Sequence, residues 1–293
     1  MYAIQSQLIE EFENMRKQNY LQIAILTSVA VWVLFCGKGY ATIVYPDSPD
    51  WQKDLQASGT ASIETDKPRD GNASLKLTTS GNLNDWAFWN YYAGTNLSLG
   101  TLSNLKDFSF DWYRTGVTNI ATSDVPWQAQ TPVMRIYIND HGVLSELVWE
   151  KYYTNSSLTI TDTWINQNLM NQNLWQHTFG SDGRGTYTLV GGVSSTLNPD
   201  DPLLALNISQ WLSNSFYSSE AFVYGFGVGV GSYWPKDYTG YVDDIHLTFS
   251  DSEENYNFEI PVPEPSPLLL MVLGVAFLMM GHFIWFRRQN CTH

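Results

Sequence analysis

The sequence predicts an all-β protein, an antiparallel β-sandwich of the jelly-roll type. Three observations carry this. Apolar residues recur with a period of two rather than 3.6. The apolar runs are short and separated by polar turn residues. No long helical pattern interrupts them between Thr42 and Val262, about 220 residues, a length that suits one large sandwich.

In chain order, residues 1–41 read as a signal peptide. Leu21 to Phe35 is an apolar run broken only by Gln22, Thr27 and Ser28, with Arg16 and Lys17 before it and Gly39-Tyr40-Ala41 after it. A basic start, a short apolar stretch and a small-residue exit form the pattern of a cleaved export signal. As a helix the run spans about 22 Å, short of the roughly 30 Å of a bilayer core. Cleavage is expected between Ala41 and Thr42. Glu10, Glu11 and Glu13 are unusual at a signal's start, so translation starts at Met1 or at Met15.

Residues 42–250 form the expected sandwich. Leu75 and Leu77 share one face of Ala73–Thr79, and Phe108, Phe110 and Trp112 share one face of their segment. Val133 to Ile138 runs into Asn139-Asp140-His141-Gly142 and then Val143 to Tyr153, which reads as a β-hairpin. Phe222 to Val230 and Tyr241 to Phe249 are further strands. Leu203 to Leu212 is ambiguous and is read as a strand ending in a turn at Ser209-Gln210-Trp211.

Residues 251–267 are acidic and then Pro-rich, the composition of an extended stalk. Residues 268–293 follow as a membrane helix and a basic tail. Leu268 to Phe286 is apolar apart from Gly274, Gly281 and His282, and spans about 28 Å as a helix. Arg287 and Arg288 come next and are expected to stay cytoplasmic. Val262-Pro263-Glu264-Pro265 stands just before the helix. This motif, the apolar helix and the terminal basic pair together resemble the PEP-CTERM sorting signal of Gram-negative bacteria. The resemblance covers about the last 30 residues, with Pro267 where Thr is common and Gln289 to His293 extending past the arginines. It implies export, transient residence in the inner membrane, recognition by an exosortase near the Pro-Glu-Pro, and a final place in the envelope, at the cell surface or outside it. Members usually belong to bacteria that make extracellular polysaccharide.

Composition narrows the function further. A net charge of -14 argues against a nucleic-acid partner, whose phosphates attract Lys and Arg. Twelve Trp and 17 Tyr argue against disorder. Both cysteines, Cys36 and Cys291, lie outside 42–262. That segment therefore has no internal disulfide, no thiolate nucleophile and no Cys-ligated zinc. The sequence also lacks His-Glu-x-x-His, Gly-x-Ser-x-Gly and a phosphate loop.

Three segments are candidates for chemistry. In Gly225 to Gly231 glycine takes every second position, which bares one strand face. That face serves either close aromatic packing or a flat ligand such as a sugar ring. In Tyr241–Leu247, strict alternation puts Asp243 on the face of Tyr241, Ile245 and Leu247, where a carboxylate needs a partner. The Gly-Tyr-Val-Asp-Asp-Ile strand resembles the last strand of carbohydrate-binding jelly rolls. Some of these use an Asp there for a structural calcium, so the resemblance makes Asp243 a candidate calcium ligand. Glu146 and Glu150 look like a glycosidase carboxylate pair. Four strand residues span roughly 13 Å, however, against about 5–5.5 Å for a retaining and 6.5–9.5 Å for an inverting pair. They are read as a solvated strand face.

The expected function is non-catalytic: an exported matrix or surface protein whose sandwich binds extracellular polysaccharide. The alternatives are a polysaccharide-cleaving enzyme and a structural, protein-binding adhesin.

Overall fold

The computed structural model describes residues 41–116, 130–151, 159–179, 185–186, 206–231 and 237–262. The signal run, the Pro-Glu-Pro, the 268–286 helix, Arg287 and Arg288 lie outside the described residues. Among the described residues no helix is long and apolar enough to cross a membrane. The boundary between the chain's two units falls at Ala41/Thr42.

The strands are β1 (Thr42–Val44), β2 (Trp51–Gln56), β3 (Thr60–Glu64), β4 (Ser74–Ser80), β5 (Trp86–Tyr92), β6 (Gly100–Thr101) and β7 (Leu105–Arg114). Then come β8 (Val133–Asp140), β9 (Val143–Trp149), β10 (Trp164–Asn168), β11 (Trp175–Phe179), β12 (Gly185–Thr186), β13 (Phe222–Val230), β14 (Asp237–Phe249) and β15 (Glu253–Phe258). The expected segments over Leu75, Phe108, Val133 and Tyr241 are strands, and Phe222–Val230 is one with the expected bounds. The β8–β9 hairpin turns on His141 (φ 53°) and Gly142 (φ 88°), two positive-φ residues whose twist suits a two-residue loop.

Two sheets form the sandwich. The first runs β10-β7-β14 and then forks. β14 pairs with β7 along one edge, while its other edge pairs with β4 over Asp237–Val242 and with β15 over Ile245–Thr248. β3 continues from β4, and β1 pairs parallel with β15. The second sheet runs β12-β11-β9-β8-β13-β5-β2, with β6 also on β13.

Alternate residues of both sheets meet in the core. Trp51 of the second sheet has its ring 5.7 Å from Tyr256 and 5.2 Å from Phe258 of the first, edge-on to both. It also meets Trp89 and Phe226 edge-on within its own sheet. Phe110 and Trp149 make a second cross-sheet contact at 5.7 Å. Edge-to-face aromatic pairs add stabilisation beyond the area they bury.

Two elements depart from expectation. β15 (Glu253–Phe258) lies inside the segment read as a stalk from residue 251: it pairs with β14, and the burial of Tyr256 and Phe258 makes it part of the sandwich. Ile208–Ser213 is a helix, α1, not the end of a strand. Asn207 caps it: its side chain accepts from Gln210 N–H while the Gln210 side chain accepts from Asn207 N–H. This reciprocal box satisfies two orphan amides. Trp211 anchors the helix by donating to Leu174 O at 3.0 Å.

Trp51 is 8% exposed and joins the layers, so Trp51→Ala should lower the unfolding free energy by about 3–5 kcal/mol, as for a buried Trp or Phe truncated to Ala. Trp51→Phe should cost clearly less. Urea midpoints at constant m-value check this; a loss below about 1 kcal/mol for Trp51→Ala would remove Trp51 from its central place.

Candidate functional site

The candidate site is the face of the second sheet that points away from the core. On β5, Phe88, Asn90 and Tyr92 lie against the β13 glycines and alternate with Ala87, Trp89 and Tyr91; Trp86 begins the row, and Trp86 and Phe88 also pack against the hydrophobic cluster. Phe88 and Asn90 are buried; Trp86 and Tyr92 are half-buried. β13 lies alongside, with Gly225, Gly227 and Gly229 opposite Tyr92, Asn90 and Phe88. A Cβ on Gly227 would stand 2.1 Å from Asn90 Oδ1, and one on Gly229 would stand 2.1 Å from Phe88 Cδ1. The bare face inferred from the sequence therefore exists, but side chains from β5 and Tyr137 from β8 lie flat across it. The glycines let a polar and aromatic layer settle onto the sheet.

Three tyrosines lie at the centre of that layer. Tyr92 stacks on Tyr137 at 5.0 Å and on Tyr224 at 6.3 Å, and the Tyr137 hydroxyl donates to Asn90 Oδ1 at 2.8 Å. Burial pushes the phenols of Tyr92 and Tyr224 up, so both are neutral hydroxyls at physiological pH.

Charged residues complete the face. The register aligns Tyr137, Glu146 and His177 across β8, β9 and β11. Glu146 Oε1 meets His177 Nδ1 at 2.8 Å, and Arg135 Nη1 lies 3.4 Å from both Glu146 oxygens. The Arg135 guanidinium also lies 3.7 Å over the Phe88 ring. Glu146 is 1% exposed, which corrects its reading as a solvated residue. Its neighbours on β8 and β11 bury it and supply the partners a buried carboxylate requires. A spacing count along one strand carries no information about those neighbours.

Asp243 is found elsewhere, in the fork of the first sheet. Asp244 has φ 47°, and the β14–β7 register shifts between Asp243 and His246. This bulge reverses the alternation. Ile245 and Leu247 enter the core, while Asp243 stays on the outer side with Tyr241, not on one face with all three as expected. Asp243 is nonetheless 0% exposed. Its Oδ1 accepts from Phe258 N–H at 3.0 Å and its Oδ2 from Asp70 N–H at 3.3 Å. Among the described residues no group of three or more His, Cys, Asp or Glu is placed to hold a metal ion. Both Asp243 oxygens thus accept backbone amides.

Asp111 stands directly across from Asp243 on β7. The two acids are handled differently. Asp111 takes Arg69 Nε and Asn166 Nδ2, both at 2.6 Å. Asp243 has no cation, and burial, opposed by its two amide donors and reinforced by Asp244, pushes it up to about 8.

No family model matches the chain, and no curated protein matches it. Among solved structures it is similar to the family 11 carbohydrate-binding module from Clostridium thermocellum in complex with a β-1,3-1,4-mixed-linked tetrasaccharide. The identity is 14%, over 69% of this chain and 90% of that one, with a TM-score of 0.36. It is also similar to the family 11 module of a cellulosomal cellulase of Clostridium thermocellum, at 12% identity over 74% and 92%, TM-score 0.35. A third likeness is to a cellulose-induced protein, at 13% identity over 68% and 91%, TM-score 0.33.

The Asp243 carboxyl gives a pH signature. The folded protein keeps a proton up to about pH 8 that the unfolded chain releases near 3.8. Stability should therefore fall as pH rises between those values, by at most about 1.4 kcal/mol per pH unit from this group. Asp243→Asn should be less stable at pH 5, because its NH₂ must face a backbone N–H, but should lose that slope. Chemical denaturation from pH 4 to 9 decides, and an unchanged slope in the variant would assign the effect to other groups.

Proposed function

We propose that the chain is an exported, non-catalytic protein whose sandwich binds extracellular polysaccharide on the outer face of the second sheet. The observation that carries this reading is the outward row of β5. Its two ends, Trp86 and Tyr92, are half-buried aromatics. Between and beside them lie neutral phenols, the Asn90 amide and the Arg135–Glu146–His177 cluster. The accessible parts of Trp86 and Tyr92 take the C–H face of a sugar, and the partly exposed Arg135 and His177 take its hydroxyls, over a buried layer of Asn90, Tyr137, Tyr224 and Glu146 that holds them in place. The polar groups are already oriented by one another, so binding orders few side chains.

Export and sorting belong to the same proposal. Val262 is 68% exposed, four residues past the end of β15, and leads directly into the Pro-Glu-Pro. Pro263 and Pro265 lack N–H groups and disfavour helix, so the segment stays extended at the membrane surface, within reach of a membrane-embedded exosortase. The apolar 268–286 segment holds it at that depth, and Arg287 and Arg288 stop the helix sliding outward.

Two experiments test the two halves. Affinity electrophoresis of the full chain in gels containing a neutral polysaccharide should show retardation, and Tyr92→Ala should weaken it about tenfold, or about 1.4 kcal/mol. Retardation by no polymer in the panel, or equal retardation of the variant, counts against the site. Separately, replacing Pro263-Glu264-Pro265 by alanines should leave the chain near full length in the inner membrane, still carrying Cys291. If mass spectrometry in an exosortase-containing host shows normal trimming, the motif is only a stalk.

A further inference from the structure

The first sheet also carries an ordered aromatic and polar strip on its outer face. Trp164, Tyr113 and Tyr241 sit in register on β10, β7 and β14. Trp164 to Tyr113 measures 5.7 Å and Tyr113 to Tyr241 5.8 Å. Trp164 is half-buried at the edge of the sheet; both tyrosine rings lie beneath the surface. Both phenols are held: Tyr113 donates to Asp162 at 3.2 Å and Tyr241 to Asp66 at 2.9 Å.

The same strand, β10, presents Asn166 and Asn168 beside Trp164, and both are exposed. At about 3.4 Å per residue the three positions span roughly 14 Å. Each amide is locked from below, Asn166 by donating to Asp111 and Asn168 by donating to Asp107. Asn166 and Asn168 therefore present fixed polar groups to solvent. The cations of this face are balanced where they stand. Arg69 pairs with Asp111 at 2.6 Å and Lys76 with Asp66 at 2.9 Å. Lys67 lies 5.2 Å over the Tyr113 ring.

We propose that this strip is a second glycan-binding surface, that it takes a neutral polysaccharide along β10 with a ring stacked on Trp164, and that one domain therefore bridges two chains. The charge balance selects the occupant. Arg69 and Lys76 are already paired and Lys67 lies over an aromatic ring, so a polyanion gains little here and meets the field of a chain with net charge -14. A neutral sugar needs only the half-buried indole at the sheet edge and the oriented amides. Since the two sheets are the two layers of the sandwich, the strip faces away from the β5 site. Two sites of modest affinity on opposite faces give avidity for a polymer and cross-link it. The bridging step rests on the proposed β5 site; the strip itself does not.

The test compares wild type, Tyr92→Ala, Trp164→Ala, Trp164→Phe and the double alanine variant, each as the full chain. The probes are a β-glucan, a xylan, a mannan, a polyuronate, and hexasaccharides of the polymer that binds. Wild type should bind two hexasaccharides and precipitate the polymer. Each single alanine variant should bind one and leave the polymer soluble. Trp164→Phe should keep both activities, and the double variant should lose binding at least 100-fold. One site in wild type, or unchanged stoichiometry in Trp164→Ala, overturns the second surface and leaves the β5 site standing. Loss of all binding in Tyr92→Ala alone does the same. Preference for the polyuronate overturns the choice of a neutral ligand, and no binding by any probe overturns both sites. Equal unfolding midpoints confirm that the variants are folded.

Discussion

The first sheet depends on a single buried carboxyl group, that of Asp243. β14 is longer than either neighbour on its split edge, so β4 and β15 share that edge end to end. Where they part, strand pairing runs out. Phe258 N–H has no partner across on β14, and Asp70 N–H comes in from the loop before β4. Asp243 reaches both. Unpaired buried amides cost about 1–3 kcal/mol each, so a residue that satisfies two at the fork is worth its own desolvation. The bulge at Asp244 makes this geometry available: the extra residue turns Asp243 outward and Ile245 inward.

Consequences spread from the fork in two directions. β15 is the strand that Tyr256 and Phe258 present to Trp51, so the fork positions the aromatic contact joining the two layers. β15 also receives β1, and Glu259 N–H donates to Val44 O just beyond it. Asn72 exchanges two hydrogen bonds with the Ile260 backbone, and Glu259 accepts from Asn72 N–H. The loop that supplies Asp70 thus also clamps the residues that follow β15. The first strand of the sandwich and its last described residues are secured by one set of contacts.

Periodicity was enough to read the architecture, because burial of alternate residues is a local property. Leu75, Leu77, Phe108, Phe110 and Trp112 announce their faces within a few residues, and all five are core. The hairpin was legible for the same reason, through His141-Gly142. What failed depended on partners distant in sequence. Strict alternation through Tyr241–Leu247 had no means of sensing the bulge at Asp244. Glu146 read as solvated because its burial is set by Arg135 and His177 on other strands. α1 was missed although its signal was local: Asn207 and Gln210 stand three apart in the pattern of a capping box. The site residues Asn90, Tyr92, Arg135, Tyr137, His177 and Tyr224 carry no motif. Only the alternating glycines of β13 marked the face where they gather.

The two outer faces solve a shared difficulty by different means. A chain this acidic must place carboxylates close together, and opposed like charges destabilise a sheet. On the second sheet Glu146 is paired with the Arg135 guanidinium and hydrogen-bonded to the His177 imidazole. On the first, Asp111 takes Arg69, Asp66 takes Lys76, and Asp243, left without a cation, is held near neutrality by burial. In every case the compensation is internal, so neither face presents an unspent charge from these groups. On the proposed reading, ligand recognition falls to ring faces and to amides and hydroxyls whose directions are already set. Such surfaces suit a neutral chain of hydroxylated rings better than an ion, and they keep that preference at high ionic strength, where exposed charges are screened.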